Sequence, residues 1–264
     1  MRFGHSVLLH HFIAVVSVAQ LINPEKFEDD TPPSYLILVS TSLDLKNSFD
    51  CLTTASGAGR LHMPNDLETL KHGPIESGVH DLILRRWSPR AFSTQPVPSE
   101  DLVKVFTAAS WAASSSNEQP WRFLVGRMGD ETFSKIVETL VEFNQVWAKS
   151  APVLILTLAK GTFTKDGRDN AWALHDTGAA SSNLCLQATA LGLHTHGMAG
   201  FDRDKARRSF DLPADYTAVA VWALGYFGDP DTLPDYLKAM ELAPRERKPL
   251  DEFVFSSWNT PAAF

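Results

Sequence analysis

Cysteine is scarce in this chain. Its 264 residues include two, Cys51 and Cys185, far apart and in neither a CxxC nor a metal-ligand spacing. That excludes a disulfide scaffold and makes a reducing, cytoplasmic setting the default. Excess positive charge is missing as well. The 24 Lys and Arg face 31 Asp and Glu for a formal net charge of −7, so the basic surface of a general nucleic-acid binder is not implied. No GxSxG, HExxH or Walker sequence occurs. Gly57-Ala58-Gly59 lacks the third glycine and the strand–helix context of a dinucleotide loop. No repeat period emerges, and no stretch is of low complexity. What remains is an ordinary globular composition, 44% hydrophobic and 21% charged, long enough for one large domain or two small ones.

The first 62 residues read differently from the rest. Residues 6–22 are nearly all apolar, with Arg2 ahead and a small-x-small run at Ser17-Val18-Ala19, which outlines a signal peptide. His10 and His11 interrupt that run, and it is shorter than the roughly 20 residues a membrane-spanning helix needs. Met63-Pro64-Asn65-Asp66 then reads as a natural start. The expectation is a non-domain extension over 1–62, either upstream of the true start or a targeting segment, and a folded domain over 63–264. No membrane partner is expected.

From Val79 the pattern becomes dense. Ser99 reads as an N-cap, with Glu100 and Asp101 in the first turn and Leu102, Val105, Phe106, Ala109 and Ala113 on one face. Residues 121–127 read as a strand, and Phe133, Ile136, Val137, Leu140 and Trp147 as a second amphipathic helix. Residues 152–158 form an apolar run of buried-strand length. The longest helix starts at Asp169 or Asn170 and ends near Leu191, with Gly192 at the left-handed C′ position. Its small residues over 178–182 suit a central helix or a subunit interface. Further strands are read over 193–198 and 217–227, with Asp202 capping a helix through Phe210. The tail beyond Pro230 is proline-broken and should wander over the surface or a partner. Helices and strands without strict βαβ repetition make the class α+β.

Two segments carry the chemistry. Arg86-Trp87-Ser88-Pro89-Arg90 concentrates guanidinium forks and a hydroxyl around a stiff proline, a donor set that matches phosphate; a solvated basic turn is the bland alternative. Ser114-Ser115-Ser116-Asn117-Glu118-Gln119-Pro120-Trp121 gathers small hydroxyls and amides. Arg245 and Arg247 add a second basic pair, meaningful only if folding brings it to the first. His194 and His196 alternate on a strand and share a face, as a metal pair would, but no third ligand stands nearby, so ordinary strand histidines are the expectation. His175-Asp176 is set aside as an acid–base pair because helical neighbours point apart. Phe143 and Trp147 are lid candidates, with a core role as the competing reading.

Four of these segments, in order, resemble the FMN-dependent nitroreductase family: Arg86-Trp87-Ser88-Pro89-Arg90-Ala91-Phe92, the run 114–121, Gly197-Met198-Ala199-Gly200-Phe201-Asp202, and Arg245-Glu246-Arg247-Lys248-Pro249-Leu250. The likeness spans about residues 79–255. It implies a central, mostly antiparallel sheet flanked by helices, in a homodimer whose C-terminal tail extends over the partner. It also implies that Arg86, Ser88 and Arg90 hold the FMN phosphate and the flavin's polar edge, with Trp87 contributing mainly backbone contact. Arg245 and Arg247 would complete the phosphate grip, and Asn117 would meet the pyrimidine side. Ala113, Ser114 and Ser115 would come from the other subunit, while Met198, Ala199 and Gly200 would line the flavin and donate an N–H toward N5. Many relatives have Pro where this chain has Ala113, and some carry Glu where it has Ala199.

The function so implied is an NAD(P)H-dependent FMN oxidoreductase. It would pass hydride through flavin N5 to nitroaromatics, quinones or similar electron-poor aromatics in a ping-pong cycle. The flavin would carry the reaction, so no side chain is assigned a catalytic role, and no metal is expected. A reductive dehalogenase of the iodotyrosine deiodinase type and a non-catalytic flavin-binding protein are the alternatives.

Overall fold

The apolar run at 152–158 becomes the middle of the protein. The computed structural model describes residues 65–264; the extension read over 1–62, Cys51, Gly57-Ala58-Gly59 and the Met63 start lie outside the described residues. In chain order the elements begin with α1 (Asn65–Lys71), α2 (Asp81–Arg85), α3 (Ser99–Ser110), β1 (Trp121–Arg127), α4 (Glu131–Thr139) and α5 (Glu142–Ala148). They continue with β2 (Val153–Lys160), α6 (Ala173–Ala190), β3 (His194–Met198), α7 (Arg203–Ser209) and β4 (Tyr216–Gly225). Helix α8 (Asp235–Leu242) and the short pair β5 (Phe255–Ser257) and β6 (Thr260–Pro261) follow.

Four strands form one sheet in the order β1-β2-β4-β3, and each neighbouring pair is antiparallel. Strand β2 is buried on both faces, which explains its unbroken apolar sequence. Its side chains alternate between two cores. Leu154, Leu156 and Leu158 pack with Phe133, Ile136 and Trp147 on the side of α4 and α5. Val153 and Ile155 pack with Val105, Ala109, Ala180 and Leu184 on the side of α3 and α6. Each such aliphatic side chain contributes roughly 1.5–3 kcal/mol by its burial. Gly126 lets α4 approach β1, because a Cβ there would lie 2.4 Å from the Phe133 backbone nitrogen. This is the α+β arrangement of helices on an antiparallel sheet.

Several boundaries differ from expectation for identifiable reasons. Pro98, not Ser99, is the N-cap of α3, and the Ser99 hydroxyl accepts a hydrogen bond from Arg127 at 3.0 Å instead. The single amphipathic helix read through Leu140 is two helices. Leu140 bridges to Phe201, and the Val141 N–H donates to the Gly200 carbonyl at 3.1 Å, so a long-range pairing replaces a helical turn. Helix α6 starts at Ala173 because the Asn170 side chain turns back to accept from the Trp172 N–H at 3.1 Å. Gly192 has φ +74°, the left-handed stop expected of it, and the Asp202 carboxylate caps α7 by accepting from Lys205 N–H at 2.8 Å. The tail is more ordered than its prolines imply. Within it, α8 buries Leu237 and Glu241, one helical turn apart, so a carboxylate occupies a core position.

Candidate active site

Helix α2 delivers the chain into the arginine turn. His80 caps it, its Nδ1 accepting from Leu82 N–H at 3.2 Å, and Arg86 leaves it in extended conformation. From there burial alternates: Trp87, Pro89 and Ala91 are buried, whereas Arg86, Ser88 and Arg90 are half-exposed. Extended backbone puts every second side chain on one side, so the two arginines and the serine share a face. Trp87 is a core anchor, 5.8 Å from the His194 ring and 5.4 Å from Phe227.

The two basic pairs meet. Arg86 lies within electrostatic reach of Arg245 and Arg247, and Arg245 of Arg247. Burial first, and then these like charges, hold Arg86 and Arg245 below the usual arginine range. The Arg86 guanidinium donates to the Ser88 hydroxyl at 3.4 Å, and the Arg90 Nε is buried with no hydrogen-bond partner. Arg245 is partly a structural strut, since its Nη1 donates to the carbonyls of Lys71 and Leu84. Lys71, which the motifs did not single out, is buried beside this cluster. Its ammonium donates to Ala243 O and lies 4.9 Å over the Trp87 ring. Desolvation lowers its pKa against the pull of Glu241. Converging guanidiniums, a hydroxyl and an unpartnered buried Nε form a donor set that a phosphate dianion fits.

Strand β3 runs beside this turn. The His196 Nδ1 lies 2.9 Å from the Pro89 carbonyl, and the His196 ring packs 4.5 Å from Trp147. Burial pushes both strand histidines down, each to about 4, with the charge of Arg85 adding to the effect at His194 and the Pro89 contact opposing it at His196. No group of three potential ligands accompanies them among the described residues. Past β3, Ala199 is exposed, and neither its N–H nor that of Gly200 has a backbone partner among the described residues. Gly200 is packed closely, with a Cβ there falling 2.8 Å from Asn144 Nδ2.

The serine run is built elsewhere on the same fold. The Asp176 carboxylate, buried in the first turn of α6, accepts from the Ser115 N–H at 2.9 Å. The Ser114 hydroxyl accepts from Gln119 N–H at 3.0 Å, and Glu118 accepts from Thr164 N–H at 2.9 Å. Between these anchors Ser116, Asn117 and Gln119 all have φ near +54°, the left-handed region that non-glycine residues avoid. Ala113 and Asn117 are exposed. Asp176 sits at one end of α6, and Cys185, which senses the Arg86 charge, sits nine positions along it. At 1.5 Å per residue the two points of α6 that these segments approach are about 14 Å apart along its axis.

His175 and Asp176 do meet, Nδ1 to Oδ1 at 3.0 Å, because the exposed imidazole reaches round to a carboxylate at the helix start. The contact is structural, since Asp176 anchors Ser115. Trp147 is core at 1% exposure, leaving Phe143 as the exposed member of the lid pair, 6.3 Å from Tyr236. Open apolar grooves flank α3, where Val103 and Trp111 are exposed, and they include none of the arginine cluster.

This fold and donor set define a class, and comparison with known proteins places it. The Nitroreductase family model matches residues 83–138 and 126–226, and the chain belongs to that family of oxidoreductases. A solved structure of an oxidoreductase containing FMN superposes with a TM-score of 0.64 at 39% identity, covering 67% of this chain and 91% of that one. An NADH dehydrogenase of Thermus thermophilus is 27% identical over 65% of this chain and 92% of its own length. An iodotyrosine deiodinase of Thermotoga neapolitana is 25% identical over 58% of this chain and 90% of its own. No helix among the described residues is long and apolar enough to cross a membrane.

Proposed function

We propose that this chain is an NAD(P)H-dependent FMN oxidoreductase that reduces nitroaromatics, quinones or similar electron-poor aromatics. The observation that carries the reading is the convergence of Arg86, Arg245 and Arg247, with Arg90 acting on the same buried Lys71 as Arg245. FMN, when bound, would supply the redox chemistry that links NAD(P)H to the acceptor. The protein's part is binding and electrostatics. Arg86, Ser88 and Arg90 grip the phosphate and the polar flavin edge, and Arg247 adds charge from the tail. Arg245 positions the site through the Lys71 and Leu84 carbonyls while contributing its remaining donors. The backbone of Met198, Ala199 and Gly200 lines the flavin and offers N–H donors to it. Trp87 secures the turn from the core.

The site in this reading belongs to a homodimer. Ala113, Ser114, Ser115 and Asn117 complete the partner's flavin site. Exposed Trp111 beside α3, and Trp258 and Phe264 in the tail at 91% and 93% exposure, supply apolar surface for a partner to cover. The deciding experiment is anaerobic reduction of the FMN-loaded protein by NADH and by NADPH, followed by mixing with nitroaromatic, quinone and halotyrosine acceptors. Bleaching by a reduced nicotinamide and reoxidation by the first two acceptors is the expected result. Reoxidation by halotyrosine alone would establish the dehalogenase alternative, and flavin that no nicotinamide reduces would make the protein a flavin-binding module.

A further inference from the structure

The arginine turn is held at one peptide bond from two directions. The Pro89 carbonyl lies 2.9 Å from His196 Nδ1, and a carbonyl only accepts, so that nitrogen carries the proton and donates. The N–H at the other end of the same peptide, that of Arg90, donates to Glu241 at 2.8 and 3.0 Å, and the next N–H, that of Ala91, donates to the same carboxylate at 3.0 Å. Glu241 is 1% exposed and reaches the turn from α8, about 150 residues further along the chain. His196 reaches it from β3. A buried carboxylate carries a large desolvation cost and is retained only where hydrogen bonds and opposite charge offset it; here Arg90 and Lys71 supply the charge.

We infer that Glu241 and His196 are positioning residues for the cofactor phosphate, an inference that rests on reading this turn as the FMN site. Their grip fixes the Pro89–Arg90 peptide plane and turns the N–H groups of Arg90 and Ala91 inward. The outward face is left to the side chains of Arg86, Ser88 and Arg90, set in one relative geometry. Neither residue touches the phosphate. Both act through the backbone of residues that do.

The test compares FMN with riboflavin, which shares the ring system but has no phosphate, in the full chain. Wild type should bind FMN more tightly than riboflavin. In Glu241→Gln the new amide presents N–H to N–H, and FMN affinity should fall about tenfold or more while riboflavin affinity holds. His196→Phe, which keeps a ring against Trp147, should show a smaller loss of the same selective kind. His196→Asn, which restores a donor, should recover part of it. Equal losses for both flavins would reduce the pair to a structural role and overturn the inference, as would unchanged FMN affinity. Should Glu241→Gln not fold, the His196 pair decides by the same criterion. A wild type that binds the two flavins equally would instead overturn the phosphate reading of the turn itself.

Discussion

The 86–90 turn and the 114–119 run both present polar groups from a loop, yet the fold holds them in opposite ways. The arginine turn is extended, with alternate residues packed into the core and its central peptide bound by Glu241 on one side and His196 on the other. The serine run is anchored through Ser114, Ser115 and Glu118, and between them it is exposed and bent through three left-handed residues. Such backbone conformations cost on the order of 1 kcal/mol or more each and persist where surrounding contacts over-determine them. The first loop has its partners within the chain. The second is pinned to Asp176 and Thr164 of its own chain and leaves Ser116 and Asn117 exposed between those anchors, the form that the proposed dimer reading assigns to a part completing a neighbour's site.

Acid should separate the two most strongly. His194 and His196 have folded pKa values of about 4, below the unfolded 6.5, so between these limits the unfolded chain binds more protons and stability falls as pH falls. From about pH 7 to about pH 5 the loss is about 2 kcal/mol per histidine. The groups facing them are cations, Arg85 at His194 and Arg90 at His196, which oppose protonation further. His72, raised chiefly by its hydrogen bond to Asp81, works the other way and offsets part of the loss. Urea unfolding at both pH values should show the drop, and His194→Phe with His196→Phe should flatten it. A midpoint that does not move between them would remove the buried histidines from the energetics of the turn.

Replacing Arg90 comes next in size. Arg90→Ala removes a guanidinium whose Nε has no protein partner, while the backbone N–H held by Glu241 stays in place. Losing charge-assisted bonds of about 1.5–3 kcal/mol should weaken FMN binding by roughly tenfold to a hundredfold, and flavin-free protein should lose some stability as well, because Arg90 supplies part of the charge that offsets the burial of Glu241. Equilibrium dialysis measures the first and thermal melting the second. Unchanged flavin content would take Arg90 out of the site.

These loops were legible to different degrees. The chemistry of Arg86, Ser88 and Arg90 showed in their residue types and spacing, and the strands showed in apolar runs such as 152–158, because a strand buried on both faces has no polar side to confuse the pattern. That Arg245 and Arg247 return to Arg86 was not readable, since nothing local encodes a contact over some 160 residues. Glu241 and Lys71 were missed for a sharper reason. Composition assigns charged residues to the surface, and each owes its burial to partners known only after folding. Leu140 and Val141 continued a helical pattern but were taken by Phe201 and Gly200, where long-range pairing outweighed local propensity. The left-handed turns at Ser116 and Gln119 left no mark either, because neither residue type is selected for positive φ.

The smallest effect addresses that strain directly. Ser116 has φ +54° and ψ +24°, a conformation glycine adopts without the steric cost of about 1–2 kcal/mol that a Cβ brings. Against this gain, glycine loses about 0.5–1 kcal/mol more backbone entropy on folding. Ser116→Gly should therefore raise stability by about 0.5–1 kcal/mol, a shift of a few degrees in melting temperature for a protein of this size. FMN affinity should hold, since no flavin contact is assigned to the Ser116 side chain. Asn117→Gly gives the contrast. Asparagine tolerates the left-handed region better than serine, so relief is smaller, while the amide assigned to the flavin's pyrimidine side is lost. FMN and riboflavin binding should then weaken together, because that contact lies on the ring they share. If Asn117→Gly leaves both affinities unchanged, the run's strain serves the fold alone, and its contrast with the arginine turn ceases to be one between two halves of a shared site.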